Sequence, residues 1–486
     1  MSAPAGVLAG LLRQRIGADR VLTDPAQLRT YECDGLAHFR VCPAVVVLAG
    51  SVDDVVETVR LCAELGVPFV ARGSGTGLSG GALPVADGVL LVLSRLRQIL
   101  SIDPHNRRAV VEPGVINLWV TRDAAPHELA YAPDPSSQQV CSIGGNLAEN
   151  SGGAHCLKYG FTVNHVVGAE VVLPDGEVVH LGGKAPEHPG YDLLGVFVGS
   201  EGTLGVATQV TLRLVRVPES VQTMLVAFRS VEDAAGAVSD IIAAGILPAA
   251  IEMMDALAIE AAEAAVNCGY PEGAVAVLVI ELDGPQTEVD GQFAEVERLV
   301  QARHAFETRI AADPKERALM WRGRKSAFAA VGRISPAYFV QDGVIPRTTL
   351  PEVLASITRM ADEVGLRVAN VFHAGDGNLH PLVLFDDSVA GQADQAEELA
   401  GAILELCVEM GGSITGEHGV GFEKKTKMAR QFTDEDLDTM QLVRCAFDPE
   451  GLANPGKIFP TPRLCGERPG VRTAADTHDP AMGQVF

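Results

Sequence analysis

The sequence predicts an α+β protein of more than one domain. The 486 residues exceed what one ordinary core serves. Strand and helix patterns alternate through the first two hundred residues. Near Val217-Pro218-Glu219 the pattern restarts and predicts a second unit on an antiparallel sheet.

In order, 44–49 (Ala-Val-Val-Val-Leu-Ala) reads as a buried strand. Ser51 caps a helix by accepting from the amide near Asp54, and Gly66 stops it. A strand at 68–71 completes a βαβ unit that ends in glycines. Strands follow at 89–93 and 108–112, with a helix at 117–129. Segments 166–173 and 177–181 straddle Pro174-Asp175-Gly176, a hairpin signature, and 203–214 alternates as a strand. Past the boundary come a strand at 223–228, a helix at 231–244, a strand at 274–282 and a helix at 287–303. The polar stretch 461–486 reads as a loose tail. No internal repeat is found.

Thirty-eight basic against 62 acidic residues give a net charge of -24. That excludes a nucleic-acid partner, for which no basic stripe exists, and disfavours an anionic membrane surface. No apolar run reaches the roughly 20 residues of a membrane span. No secretory leader is expected, because a charged n-region before an apolar core is missing. The nine cysteines are scattered and odd in number, without Cys-x-x-Cys. They argue against a disulfide framework or a cysteine zinc site, and for a reducing cytoplasm.

The segment Arg72-Gly73-Ser74-Gly75-Thr76-Gly77-Leu78-Ser79-Gly80-Gly81 contains G-x-G-x-x-G. A dinucleotide fingerprint needs a helix to begin there, but this loop runs into Pro84 and a strand. Its glycines either present amides as an anion nest for a pyrophosphate or form a flexible surface loop. A second glycine-dense stretch, Ser142 to Gly153, favours close approach to a long ligand.

Near the other end, His373 and His380 bracket Ala-Gly-Asp-Gly-Asn-Leu, and Glu417-His418 follow in Gly-Glu-His-Gly. Two imidazoles and a carboxylate can hold one divalent metal, with zinc, manganese and iron all compatible. His418 is then free to act as a base. A lone histidine beside a turn is usually structural; two of them with Glu417-His418 point to a site.

With these motifs goes a resemblance. Arg72–Gly81, Pro133-Asp-Pro-Ser-Ser with Ser142-Ile-Gly-Gly, and Gly199-Ser-Glu-Gly-Thr-Leu-Gly205 resemble the FAD-binding domain of the vanillyl-alcohol oxidase/p-cresol methylhydroxylase superfamily. Trp321-Arg-Gly-Arg-Lys, the His373–His380 segment, Gly416–Gly419 and Phe447–Lys457 are similar to glycolate oxidase flavin subunits and D-lactate dehydrogenases. The resemblance implies a two-part FAD domain over 1–220, a cap domain over 221–420 and a return segment over 421–460. It implies FAD on Arg72 to Gly80, Pro133, Ser137, Ser142, Gly144, Gly145, Asn146, Asn150, Gly152, Glu201, Gly205, Val206 and Asn454, with 133–153 rich in strands. His155-Cys156 raises covalent flavin attachment, which this branch usually lacks.

The implied chemistry is oxidation of a small D-2-hydroxy acid to the 2-oxo acid. The metal sits on His373, His380 and Glu417, and His418 is the base. Arg324 clamps the substrate carboxylate, with Arg322 as the alternative. Asn378 orients a ligand, touches substrate or merely shapes its turn. The segment of a lysine typical of 2-hydroxyglutarate enzymes carries Val340 here, which favours glycolate or D-lactate. Implied partners are an iron–sulfur subunit and a second flavin-type subunit as electron acceptors, which would hold the protein at the membrane periphery. The alternatives are a D-2-hydroxyglutarate-type dehydrogenase, a metal-dependent hydrolase and a non-catalytic scaffold.

Overall fold

The computed structural model describes residues 5–185, 190–460 and 465. The expected helix after the first buried strand spans Val52–Leu65. The Ser51 side chain accepts from the Asp54 amide, and Asp54 Oδ2 accepts back from the Ser51 amide at 3.1 Å. Gly66 closes the helix in the left-handed region, at φ 62°. Strands Val45–Leu48 and Phe69–Arg72 flank this helix in sequence but are not neighbours. Val89–Val92 lies between them, parallel to both. The glycine loop therefore leaves one edge strand and returns to the middle of the sheet.

A second, antiparallel sheet orders Ile99–Asp103, Arg108–Val111, Val206–Arg213, Val166–Val172 and Val178–Gly182. The hairpin at 174–176 is present within it. Two expectations change here. The helix begun at Asn117 stops at Ala124 and tightens into a short 3-10 turn through His127, because Pro126 has no amide to continue the helical ladder and Glu128 takes a left-handed φ of 56°. The stretch 133–153 is not strand-rich, since Ile143–Glu149 is a helix. Its buried Ile143 and Leu147 sit four apart, but the glycines between them mask the period. Gly144 is there for packing: a Cβ on it would lie 2.6 Å from Pro113 Cβ.

The second unit is one nine-stranded sheet with apolar clusters on both faces. Its long central pair is Ser220–Phe228 against Ala276–Gly284. Ala250–Asp255 and Arg367–His373 continue the sheet. Ala250 and Met254 face one cluster while Ile251 and Met253 face the other, as strand alternation requires.

The chain then returns to the first sheet. The Phe69 amide donates to Leu452 O at 2.9 Å, and the Asn454 amide donates to Phe69 O at 2.8 Å. Cys445 and Cys465 form a disulfide, which corrects the expectation from cysteine spacing. The pairing depends on a helix meeting a segment 20 residues later, a proximity that no motif encodes. Apart from Cys465, the stretch 461–486 lies outside the described residues. No described helix is long and apolar enough to cross a membrane.

Asn454 joins three segments. Its Nδ2 donates to Gly81 O at 2.8 Å and Glu201 O at 2.6 Å, and its Oδ1 accepts from Lys457 Nζ at 3.2 Å. Asn454→Ala should cost about 1–3 kcal/mol for each buried group left unpaired. The check is the urea midpoint, which should fall; an unchanged midpoint contradicts the role.

Candidate active site

The strand Arg367–His373 turns over residues 374–377 and resumes at Asn378–Leu379, with His373 opposite Asn378. Gly377 takes the positive φ the turn needs, 80°. His380 follows, and its ring centroid lies 5.1 Å from that of His373. The sequence pattern thus brings these two rings together as expected.

Glu417 and His418 are placed by Asp342, which is fully buried between two strands. Its carboxylate accepts from the amides of Gly416 at 3.0 Å, Glu417 at 3.2 Å and His418 at 2.9 Å. Thr415 Oγ1 donates at 2.7 Å, and Lys424 Nζ is 3.1 Å away. Burial pushes the Asp342 carboxyl up, but Lys424, His418 and His380 outweigh it and hold it well below the usual range. His418 stacks on His380 with centroids 4.9 Å apart. Burial drives His418 down to about 4 against the pull of Asp342, leaving the ring neutral near pH 7.

Ligand atoms of His373, His380 and Glu417 all lie within 4.8 Å of one another. His373 Nε2 is 3.2 Å and His380 Nε2 3.3 Å from Glu417 Oε1. Glu252 Oε1 lies 2.7 Å from His373 Nδ1, so the other nitrogen faces Glu417. The buried Glu417 Oε2, both nitrogens of His380 and Nδ1 of His418 make no hydrogen bond. One ligand atom from each of His373, His380 and Glu417 lies close to the others, and the unpartnered buried atoms among them fit a divalent cation. Asp342, His380 and His418 form a second close trio, but Asp342 is already occupied by its amides and Lys424.

Three of these residues, His380, Glu417 and His418, open onto a cavity of about 730 Å³. His380, Glu417 and His418 share its wall with Arg72, Gly73, Ser74, Gly75, Thr76, Gly77 and Leu78. Ser137, Ser142, Gly144, Gly145, Asn146, Glu201, Gly205 and Val206 line it too. The amides of Gly75, Thr76, Gly77 and Leu78 donate to no protein group among the described residues, as an anion nest requires. The cavity and this nest fit a dinucleotide.

Several expected residues stand behind the wall instead. Ser79 Oγ donates to His418 O at 2.9 Å. Gly80 has φ 75°, and a Cβ there would sit 3.1 Å from Phe422 Cβ. Pro133 O accepts from Asn117 Nδ2, and Asn150 Oδ1 from the Val163 amide. Gly152 leaves room for the Glu417 carboxylate, since a Cβ there would lie 2.6 Å from Glu417 Oε2. Glu201 does line the cavity, and it also accepts from the Val420 and Gly421 amides at 2.7 Å each, tying its turn to the Glu-His loop. Asn378 is buried against Gly416. Arg324 is buried with Nη2 2.7 Å from Glu252 Oε2, while Phe328 takes the cavity surface. Arg322 is exposed and donates to Val266 O. Sequence reasoning missed Glu252, Asp342 and Lys424. Only Asp342 carried a signal, a lone acid between two short strand patterns.

Comparison with known proteins agrees with this geometry. Residues 217–458 match the family described as FAD linked oxidases, C-terminal domain, and 43–182 match an FAD binding domain. Glycolate oxidase subunit GlcD of Escherichia coli is 52% identical over 456 residues, covering 94% of this chain and 91% of that protein. The chain belongs to the FAD-linked oxidases. A D-lactate dehydrogenase of Archaeoglobus fulgidus is 32% identical over 419 residues, covering 85% of this chain and 91% of that one. The fold resembles 4-ethylphenol oxidase from Gulosibacter chungangensis at TM-score 0.78 and 20% identity, over 94% of this chain and 98% of that one. It also resembles p-cresol methylhydroxylase at TM-score 0.77 and 18% identity, over 93% and 96% of the chains.

Asp342→Asn would leave Lys424 buried without its counter-charge, at a cost of about 3–5 kcal/mol. Thermal unfolding should show the loss. In the wild type the Asp342 carboxyl is held below its ordinary value. Its contribution is therefore complete above roughly pH 4 and lost as pH falls further. A variant with the same acid-unfolding profile as the wild type contradicts this.

Proposed function

We propose that the protein oxidises a small D-2-hydroxy acid, glycolate or D-lactate, to the 2-oxo acid. The observation that carries this is the shared cavity: His380, Glu417 and His418 line the same space as the glycine loop. FAD, when bound, accepts the hydride, and a divalent metal, when bound, lowers the hydroxyl's pKa.

In this reading His373, His380 and Glu417 are the metal ligands, the metal being zinc, manganese or iron. Glu252 fixes the ring of His373 so that Nε2 turns toward Glu417. His418 takes the hydroxyl proton on a ring nitrogen, because its burial keeps it neutral. Arg324 keeps Nε without a partner, and that edge of the guanidinium is proposed for the substrate carboxylate. Asn378 holds the histidine turn against Gly416. Val340 and Phe328 give the cavity's cap side an apolar face that suits a short acid.

The relatives' names favour glycolate and D-lactate. We divide the chain into an FAD domain over 1–220, a cap over 221–420 and a return segment over 421–460. Electrons would leave to an iron–sulfur partner and a second flavin-type subunit, which would place the protein in the cytoplasm or at the membrane periphery.

The test is an anaerobic visible spectrum of the FAD-loaded protein with glycolate, D-lactate, L-lactate and D-2-hydroxyglutarate added separately. Flavin bands should bleach with glycolate or D-lactate and persist with L-lactate. Bleaching by D-2-hydroxyglutarate alone, or by none of the four, overturns the substrate assignment.

A further inference from the structure

His155 invited the idea of a covalent flavin link, but its side chain does not line the cavity. Both ring nitrogens are occupied. Nδ1 lies 2.9 Å from Asp134 Oδ2, and Nε2 lies 3.1 Å from Glu281 Oε1. Asp134 immediately precedes Pro135, Ser136 and Ser137 on the cavity wall. Glu281 belongs to the strand Ala276–Gly284 of the nine-stranded sheet and is buried. His155 therefore bridges the two halves of the chain.

Glu281 does more than hold His155. It accepts from Arg317 Nη2 and from Trp321 Nε1, both at 2.7 Å. Both residues lie on the helix Pro314–Val331, which carries Arg324 one turn later and then Phe328. The ring of His155 also lies 5.8 Å from that of Trp321. A neutral imidazole has one donor and cannot donate to two carboxylates. Burial opposes charge on this ring, but Asp134 and Glu281 outweigh it and push it up to about 10.

The residues beside His155 dock on the same half. Lys158 Nζ is 2.5 Å from Asp283 Oδ1, and Tyr159 donates to Asp283 Oδ2 at 2.6 Å. Leu157 packs on the histidine turn, since a Cβ on Gly375 would lie 2.5 Å from Leu157 Cδ2.

We propose that His155 is a positioning residue: its bridge between Asp134 and Glu281 sets where the helix Pro314–Val331 closes the cavity over the substrate. Without it the two acids face each other across the seam, and the carboxylate that holds the helix through Arg317 and Trp321 loses its tie to the cavity wall at Asp134. The proposal rests on the 2-hydroxy-acid reading for its kinetic arm only.

The experiment compares FAD-loaded wild type with His155→Phe, His155→Gln and His155→Arg. His155→Phe should raise KM about tenfold, with kcat within about threefold and flavin per chain unchanged. His155→Arg, whose guanidinium can span two carboxylates, should restore most of the KM. His155→Gln, able to serve one acid, should fall between and stands in if the phenylalanine variant does not fold. Asp134→Asn added to His155→Phe should change KM little further. Amide hydrogen exchange over 314–331 should speed up in His155→Phe while 45–92 stays as in wild type. Exchange needs no substrate, so it still decides if the wild type oxidises none of the acids. Unchanged KM with unchanged exchange over 314–331, or equal losses in all three variants, overturns the proposal.

Discussion

The site depends on one buried carboxylate. Asp342 gathers three successive amides, a hydroxyl and an ammonium, so the Thr415–His418 loop has no other arrangement that satisfies them. The loop's geometry sets where Glu417 points and how His418 stacks on His380. Without that anchor, a Gly-Glu-His-Gly segment would be a mobile turn with two polar side chains. With it, a carboxylate and an imidazole are fixed beside the histidine turn.

The rest of the molecule brings this anchored loop to the glycine-rich wall. Ser79 holds the His418 carbonyl, and Glu201 holds the next two amides along the loop. Asn454 and Lys457, from the returning chain, fix the glycine loop from behind. Many residues with the look of cofactor contacts therefore act one layer back. They are buried and polar because they join segments distant in sequence, and the glycine loop is left to face the cavity.

The parts legible in the sequence were those encoded locally. His373 and His380 could be read because a four-residue turn separates their strands. The capped helix at 52–65 and the hairpin at 174–176 could be read for the same reason. Glu252 could not, since it meets His373 and Arg324 only through the order of strands in the nine-stranded sheet. The insertion of Val89–Val92 between two consecutive strands is likewise set by packing. Helix Ile143–Glu149 was hidden because its glycines serve close approach to Pro113 at the expense of helix propensity. Arg324 was legible as part of the Trp-Arg-Gly-Arg-Lys motif, but its burial beside Phe328 was not. The residue is in place, yet its nearest partner is a carboxylate of the same chain.

The central claim is that one divalent ion and one flavin share this cavity. An anomalous difference map from crystals of the FAD-loaded protein, collected at the edge of the metal found by elemental analysis, tests it most directly. The account predicts a single peak between His373, His380 and Glu417, with flavin density along the glycine loop in the same cavity. A peak elsewhere, or flavin density outside that cavity, would contradict it.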